Sequence, residues 1–181
     1  MNVALKPMTV ASYLAWLEQQ PRGRFELVDG QVVAMNSQRI EHAEIKLSVA
    51  FALKEALSDR PCHVVGDGMA IQIDDDTVYE PDALVYCGER LKRGTIIFST
   101  PVLVVEILSP STKTIDTTKK LEGYFKLPSV RHYLIIDPDS RTIVHHARDE
   151  KGAITTLIAN AGDLWLDALS VRLLVAACFP D

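Results

Sequence analysis

Two acidic residues stand in stretches that otherwise read as buried. In Pro101–Thr112, PVLVVEILSPST, Glu106 is the one carboxylate in a continuous apolar run. In Val78–Tyr86, VYEPDALVY, Asp82 directly precedes the apolar Ala83-Leu84-Val85. Alternate residues of a strand share a face, so Val102, Val104, Glu106 and Leu108 look one way and Leu103, Val105 and Ile107 the other. An ionised carboxylate in a strand covered on both sides costs several kcal/mol unless a cation or donors compensate it. Two such acids on neighbouring strands supply hard oxygen donors, the kind that Mg2+ takes one or two of while it keeps waters and substrate phosphate oxygens. The helix that follows Glu106 offers Asp116, Lys120 and Tyr124 at i, i+4 and i+8 on one face, which could turn Lys120 toward the acids. Each residue also has a structural alternative. Asp82 after Pro81 could be a turn or bulge residue, Lys120 a solvated helix lysine, and Asp116 a first-turn dipole partner or a salt-bridge partner of Lys120. Glu106 is the hardest to explain structurally, because strand interiors disfavour Glu.

The elements that must position these residues follow from periodicity and turn chemistry. Thr9 before Val-Ala-Ser-Tyr-Leu-Ala-Trp-Leu reads as an N-cap and a short amphipathic helix that ends near Pro21-Arg-Gly23 and packs as a lid or bracket. Phe25–Met35 is two apolar runs around Asp29-Gly30, a hairpin signal. Residues 41–58 form a helix with His42, Ile45, Val49 and Leu53 along one face. Strands are predicted at Cys62–Val65, Met69–Ile73, Val78–Tyr86 and Val102–Leu108, with Pro81 pointing to an edge position or a bulge in the third. A helix from Ser111 or Thr114 to Leu127 stops at Pro128. Arg131–Pro138 then returns as a strand buried on both faces, which implies a parallel crossover. Arg141–Ala147 and Ala153–Ile158 make a further hairpin pair, and Leu169–Phe179 an apolar C-terminal cap.

With 181 residues and 48% hydrophobic content, the expectation is a single domain over residues 1–181. No apolar run reaches the roughly 20 residues that span a bilayer, and the N-terminus lacks the apolar core of a signal peptide, so a cytoplasmic protein without membrane contact is expected. Three cysteines, Cys62, Cys87 and Cys178, without C-x-x-C spacing indicate neither a disulfide framework nor a thiolate zinc site, and read as small buried hydrophobes. A net charge of −5 argues against a surface that grips nucleic acid everywhere. Any such binding must be local, and Arg90, Lys92, Arg93, Lys113, Lys119, Lys120 and Lys126 either form a phosphate-contacting rim or are solvated surface charge.

The series Glu26-Leu-Val-Asp-Gly30, His42, Glu80-Pro-Asp82, Val105-Glu-Ile-Leu-Ser-Pro-Ser111, Asp116-x-x-x-Lys120-x-x-x-Tyr124 and Tyr133-Leu-Ile-Ile-Asp-Pro138 resembles the Uma-two family of restriction-endonuclease-like proteins, a branch of the PD-(D/E)XK nuclease superfamily. The likeness runs in order and spacing over about residues 8 to 175. It implies an α/β (α+β) restriction-endonuclease-like core, a central mixed sheet flanked by helices, and Mg2+-dependent cleavage of DNA, with Mn2+ as a substitute. Asp82 matches the motif's first Asp and Glu106 its second acid, and these two are the implied metal ligands. The superfamily's usual lysine two residues later is Leu108 here, and Lys120 is the match for a lysine moved to the next helix. Glu26 matches an early Glu, either an auxiliary ligand or a plain cross-strand partner. His42 matches too, as a catalyst or as a satisfied helix-face residue, and Asp116 and Tyr124 complete the auxiliary candidates.

On this reading Asp82, Glu106 and Lys120 are catalytic. Arg90, Lys92, Arg93, Lys113 and Lys119 would hold the DNA backbone without reading bases, and a homodimer would serve two-strand cleavage. Two rivals share the fold: a non-catalytic module that binds nucleic acid or protein, and a metal-dependent hydrolase of another phosphoester.

Overall fold

The structure, a computed structural model, describes residues 7–35, 37–109 and 117–180. Helix α1 (Val10–Leu17) opens with Thr9, whose Oγ1 accepts from the Ser12 amide, as its cap signal predicts. Strands β1 (Phe25–Val28) and β2 (Gln31–Ala34) form the predicted hairpin. Its turn residues Asp29 and Gly30 both take positive φ, 49° and 74°, as a two-residue hairpin turn of the right twist requires. Helix α2 (Ile40–Ala56) buries Ile45, Val49 and Leu53.

Strands β3 (Cys62–Gly66), β4 (Ala70–Gln72), β5 (Val78–Tyr79), β6 (Ala83–Cys87), β7 (Ile97–Phe98) and β8 (Leu103–Ile107) follow, and helix α3 (Thr117–Lys126) connects β8 to β9 (His132–Asp137). The chain closes with β10 (Thr142–Arg148), β11 (Ile154–Ala159), β12 (Asp163–Leu166) and β13 (Val171–Leu174). One six-stranded mixed sheet has the order β11-β10-β9-β8-β6-β3, and a second, five-stranded sheet has the order β2-β1-β5-β4-β7. The β8–β9 pair is parallel, so the predicted crossover through α3 is present. Strands β12 and β13 form a two-stranded ribbon that packs its apolar side, with Cys178 and Phe179, against α2.

The face alternation of β8 decides which helix sees which residue. Leu103, Val105 and Ile107 join the core under α2, with Ile45, Val49 and Leu53. Val104 and Leu108 join the core on the α3 side, with Tyr124, Tyr133 and Ile135. Glu106 shares the second face, so it points toward α3.

Two sequence expectations need correction. Residues Val78–Tyr86 are two strands in two different sheets and neither an edge strand nor a bulged one. Glu80-Pro81-Asp82 is the passage between the sheets, where a proline without an N–H leaves the first ladder, and β6 then lies inside the second sheet between β8 and β3. Cys62 and Cys87, directly opposed on β3 and β6, are joined in a disulfide, and only Cys178 is the free buried thiol expected of all three. Odd cysteine number and wide spacing hid a cross-strand pair that only the register reveals. Among the described residues no helix is long and apolar enough to cross a membrane.

Away from the acids, β9 and β10 bury two imidazoles against each other: His132 Nδ1 lies 3.0 Å from His145 Nε2, and Asp167 Oδ1 is 3.1 Å from His132 Nε2. Burial, and for His132 the neighbouring His145, pushes both rings down to about 4 despite Asp167. The folded pKa lies below the ordinary 6.5, so the unfolded chain takes up protons first as the pH falls. The pair's contribution is therefore present above pH 6.5 and lost toward pH 4. Unfolding free energy measured by urea titration is expected to fall over that window. In His145→Gln the slope should be shallower by up to about 1.4 kcal/mol per pH unit, one proton's worth. An unchanged slope would show that the imidazoles do not titrate with folding.

Candidate active site

Asp82 sits where the β6–β8 ladder stops. Its amide donates to the Val105 carbonyl at 3.1 Å, and its side-chain Oδ2 accepts the next β8 amide, Ile107 N–H, at 2.8 Å. The carboxylate thus supplies the acceptor for a β8 amide that lies beyond the end of the β6–β8 ladder. Its other oxygen, Oδ1, lies 3.0 Å from His42 Nε2 and 2.9 Å from Lys46 Nζ. Both side chains descend from the first turns of α2.

Glu106, one residue before Ile107 and on the opposite face, meets α3. Its Oε1 accepts from Lys120 Nζ at 3.0 Å and Tyr124 Oη at 2.5 Å. Lys120 and Tyr124 are one turn apart, so a single helix face presents both. Glu26, on β1, completes the group: its Oε1 accepts from Lys120 Nζ at 3.1 Å and from the Glu80 amide at 2.8 Å. The cross-strand alternative for Glu26 gives way to a role that joins the two sheets. Helix α3 comes close enough for this because residue 123 is glycine. A Cβ there would lie 2.6 Å from the Tyr79 ring, over which Lys120 also passes.

Of the candidate residues, His42 gathers on Asp82, and Glu26, Lys120 and Tyr124 gather with Glu106; the two groups are near enough for the charge of Asp82 to act on Glu106. Asp116 and Lys113 lie outside the described residues. Lys119 pairs with Asp29 at an exposed position. Arg90, Lys92 and Arg93 are exposed in the loop beyond the far end of β6 from Asp82, and the structure does not bring them to the acids. Sequence reasoning missed an outer ring. Lys46 also contacts Asp67 and Gln38, each at 2.9 Å, and Arg24 forks onto Asp67 and Glu80. The available signal was spacing, because Lys46 is four residues after His42 on the stripe that continues as Val49 and Leu53.

The electrostatics separate the two acids. Burial alone would raise Asp82, but the His42 hydrogen bond, the charges of His42 and Lys46 and the Ile107 amide hold it below the usual carboxylate range. Burial pushes Glu106 up to about 7, with Asp82 and Glu26 adding to the rise and Lys120 and the Tyr124 hydrogen bond opposing it. Burial would lower Lys120, yet Glu106 and Glu26 hold it well above its ordinary value, so it stays an ammonium.

This donor set fits a small, hard, divalent cation. Five carboxylates (Glu26, Asp67, Glu80, Asp82 and Glu106) face three fixed cations (Arg24, Lys46 and Lys120), which leaves an excess of negative charge. Among the described residues no three His, Cys, Asp or Glu side chains form a ready cage. An ion would therefore take the Asp82 and Glu106 oxygens and complete its shell with water and substrate.

The model of the Uma2 (Uma-two) family, described as "Putative restriction endonuclease", matches residues 10–176. The chain belongs to this family. "Uncharacterized protein slr1290" of Synechocystis sp. is 33% identical over 140 residues, 76% of this chain and 73% of that protein. "Uncharacterized protein sll1609" of the same organism is 23% identical over 164 residues, 88% of this chain and 92% of that one. A crystal structure described as a "putative nuclease belonging to DUF820" from Anabaena variabilis superposes with a TM-score of 0.77 at 19% identity, covering 96% of this chain and 98% of that one. The expected mixed α/β, nuclease-like fold is thus shown. In the Uma2 chain Glu106 lies on β8 and Asp82 just before the adjacent β6, with α2 meeting Asp82 and α3 meeting Glu106.

The Glu106 shift has a stability consequence. Its folded pKa lies above the ordinary 4.5, so its contribution is full below about pH 4.5 and lost as the pH rises through about 7. In chelator-treated protein, the difference in unfolding free energy between wild type and Glu106→Gln is expected to move by about 3 kcal/mol between pH 4.5 and 8, with the wild type losing. A pH-independent difference would mean that Glu106 ionises in the folded chain as freely as in water.

Proposed function

We propose that this Uma2 protein is a divalent-metal-dependent endonuclease that hydrolyses DNA phosphodiester bonds. One observation carries the reading: Asp82, at the entry to β6, accepts from the Ile107 amide next to Glu106 and its charge acts on Glu106, which in turn pairs with a buried, charged Lys120. Asp82 and Glu106 would hold Mg2+, or Mn2+ in its place, which when bound would supply Lewis-acid polarisation of a phosphate oxygen and a more acidic coordinated water. Lys120 serves as a donor and not as a base, since its two carboxylate partners keep it protonated. Its ammonium orients the attacking water and stabilises the charge that develops on the phosphate. It stands in for the lysine that Leu108 does not provide, reaching Glu106 from α3 instead of from the strand. Tyr124 fixes the Glu106 carboxylate by its 2.5 Å hydrogen bond, and His42 and the Ile107 amide fix Asp82, so both ligands are held before substrate arrives. Two copies acting on opposite strands would complete a double-strand cut.

The rival, a non-catalytic module on the same fold, is supported by one feature: each acid already has a lysine partner, so the cluster holds together without an ion. Nicking of supercoiled plasmid separates the two. Purified protein is expected to relax plasmid in Mg2+ or Mn2+ and not in chelator. Asp82→Ala and Glu106→Ala should abolish the activity, and Lys120→Met should lower it by about a hundredfold or more. Undiminished cleavage in either acid variant sinks the assignment of the ligands, and no cleavage with no ion binding by calorimetry favours the module.

A further inference from the structure

Helix α2 brings to Asp82 a lysine for which the reaction above has no use. Lys46 lies on the buried stripe of α2, between His42 and Val49, and is 9% exposed. Its ammonium donates to Gln38 Oε1 at 2.9 Å and ion-pairs with Asp82 Oδ1 and Asp67 Oδ1, each also at 2.9 Å. Asp82 Oδ1 therefore has two close neighbours, the Lys46 ammonium and the His42 ring nitrogen, and Oδ2 accepts from the Ile107 amide. A carboxylate offers about four lone-pair directions, so most of the oxygen surface that a hard cation would use is already covered.

The other two acceptors of Lys46 differ from Asp82. Asp67, in the turn between β3 and β4, has its side chain 44% exposed, against 7% for Asp82. Lys46 thus bridges a buried acid and a water-facing one, and its flexible four-carbon stem can lean toward either. A divalent ion and an ammonium cannot both sit against one carboxylate oxygen in a poorly solvated pocket, because like charges a few ångströms apart repel strongly there.

We propose that Lys46 is a tethered counter-ion of Asp82 that gates metal loading: it neutralises Asp82 in the metal-free protein and withdraws onto Asp67 and Gln38 when the ion arrives. The proposal rests on Asp82 being an ion ligand. It gives Asp67 a role as well, since the exposed carboxylate receives the displaced ammonium, and Arg24, which also binds Glu80, holds Asp67 in place. Lys46 is then a positioning residue. It keeps the buried acid compensated in the metal-free chain at the expense of metal affinity.

The test is calorimetric titration of the full chain with Mn2+, with folding of each variant checked by circular dichroism. Lys46→Gln is expected to bind Mn2+ about tenfold tighter than wild type and to melt at a lower temperature without metal, whereas Lys46→Arg, which keeps the charge, should retain wild-type affinity. Asp67→Asn should bind several-fold more weakly, because Lys46 then has a poorer alternative partner, and this loss should vanish in the Lys46→Gln background. A merely structural lysine would not improve binding when removed. Lys46→Gln binding no tighter than wild type, or an Asp67→Asn loss of equal size in both backgrounds, overturns the gate while leaving the nuclease reading intact, provided Asp82→Asn abolishes Mn2+ binding. Absence of Mn2+ binding in wild type and Lys46→Gln alike takes down both.

Discussion

Charge removed from water and compensated from two sides is the constraint that organises this molecule. Asp82, Glu106 and Glu26 are largely buried, and each would be too costly there if unpaired. The cations that compensate them arrive on helices: Lys46 on α2 and Lys120 on α3, which pack on opposite faces of the six-stranded sheet. Removing one partner of such a pair costs about 3–5 kcal/mol, because the other is stranded. The helix positions are therefore tied to the acids as much as to the apolar core. A shift of α3 along β8 would separate Lys120 from Glu106 and Glu26 together.

The same geometry brings a helix lysine to Glu106 although the residue two places on in the strand is a leucine. Leu108 follows Glu106 by two residues and packs in the apolar cluster on the α3 side, while its amide extends the pairing with β9 through the Ile136 carbonyl at 2.8 Å. That face is covered by α3, so a side chain from the helix reaches Glu106 as directly as one from the strand could. Gly123 makes the approach possible, since the Tyr79 ring occupies the space that any Cβ would need. A lysine on α3 also touches Glu26, which one on β8 need not do, and so couples the second sheet to the first.

Much of this was legible in sequence, for reasons that differ by element. The alternation in β8, the Asp29-Gly30 turn, the stripe of α2 and the apolar run of β9 are local signals, and each forms as predicted except that Val102, just before β8, packs on the α2 side and not with Val104. Glu106 and Asp82 stood out because a carboxylate inside an apolar strand contradicts its surroundings. Lys46 did not, because a lysine in a helix contradicts nothing until the helix face is known to be buried. The division of Val78–Tyr86 between two sheets, the Cys62–Cys87 pair and the Arg24–Asp67–Glu80 ring depend on register and on contacts between residues up to 56 apart, and no local pattern encodes them.

The charge pattern also sets an order of events. The cluster carries more carboxylates than fixed cations, and the whole chain is acidic. A polyanion approaching the metal-free site meets a field of its own sign. Under the proposed function a bound divalent ion would add two positive charges there, and Lys120, paired with Glu106, is already protonated. Under the proposed function, DNA engages the loaded protein and not the metal-free one. On that reading phosphate contacts contribute affinity only locally, as the acidic balance of the chain requires.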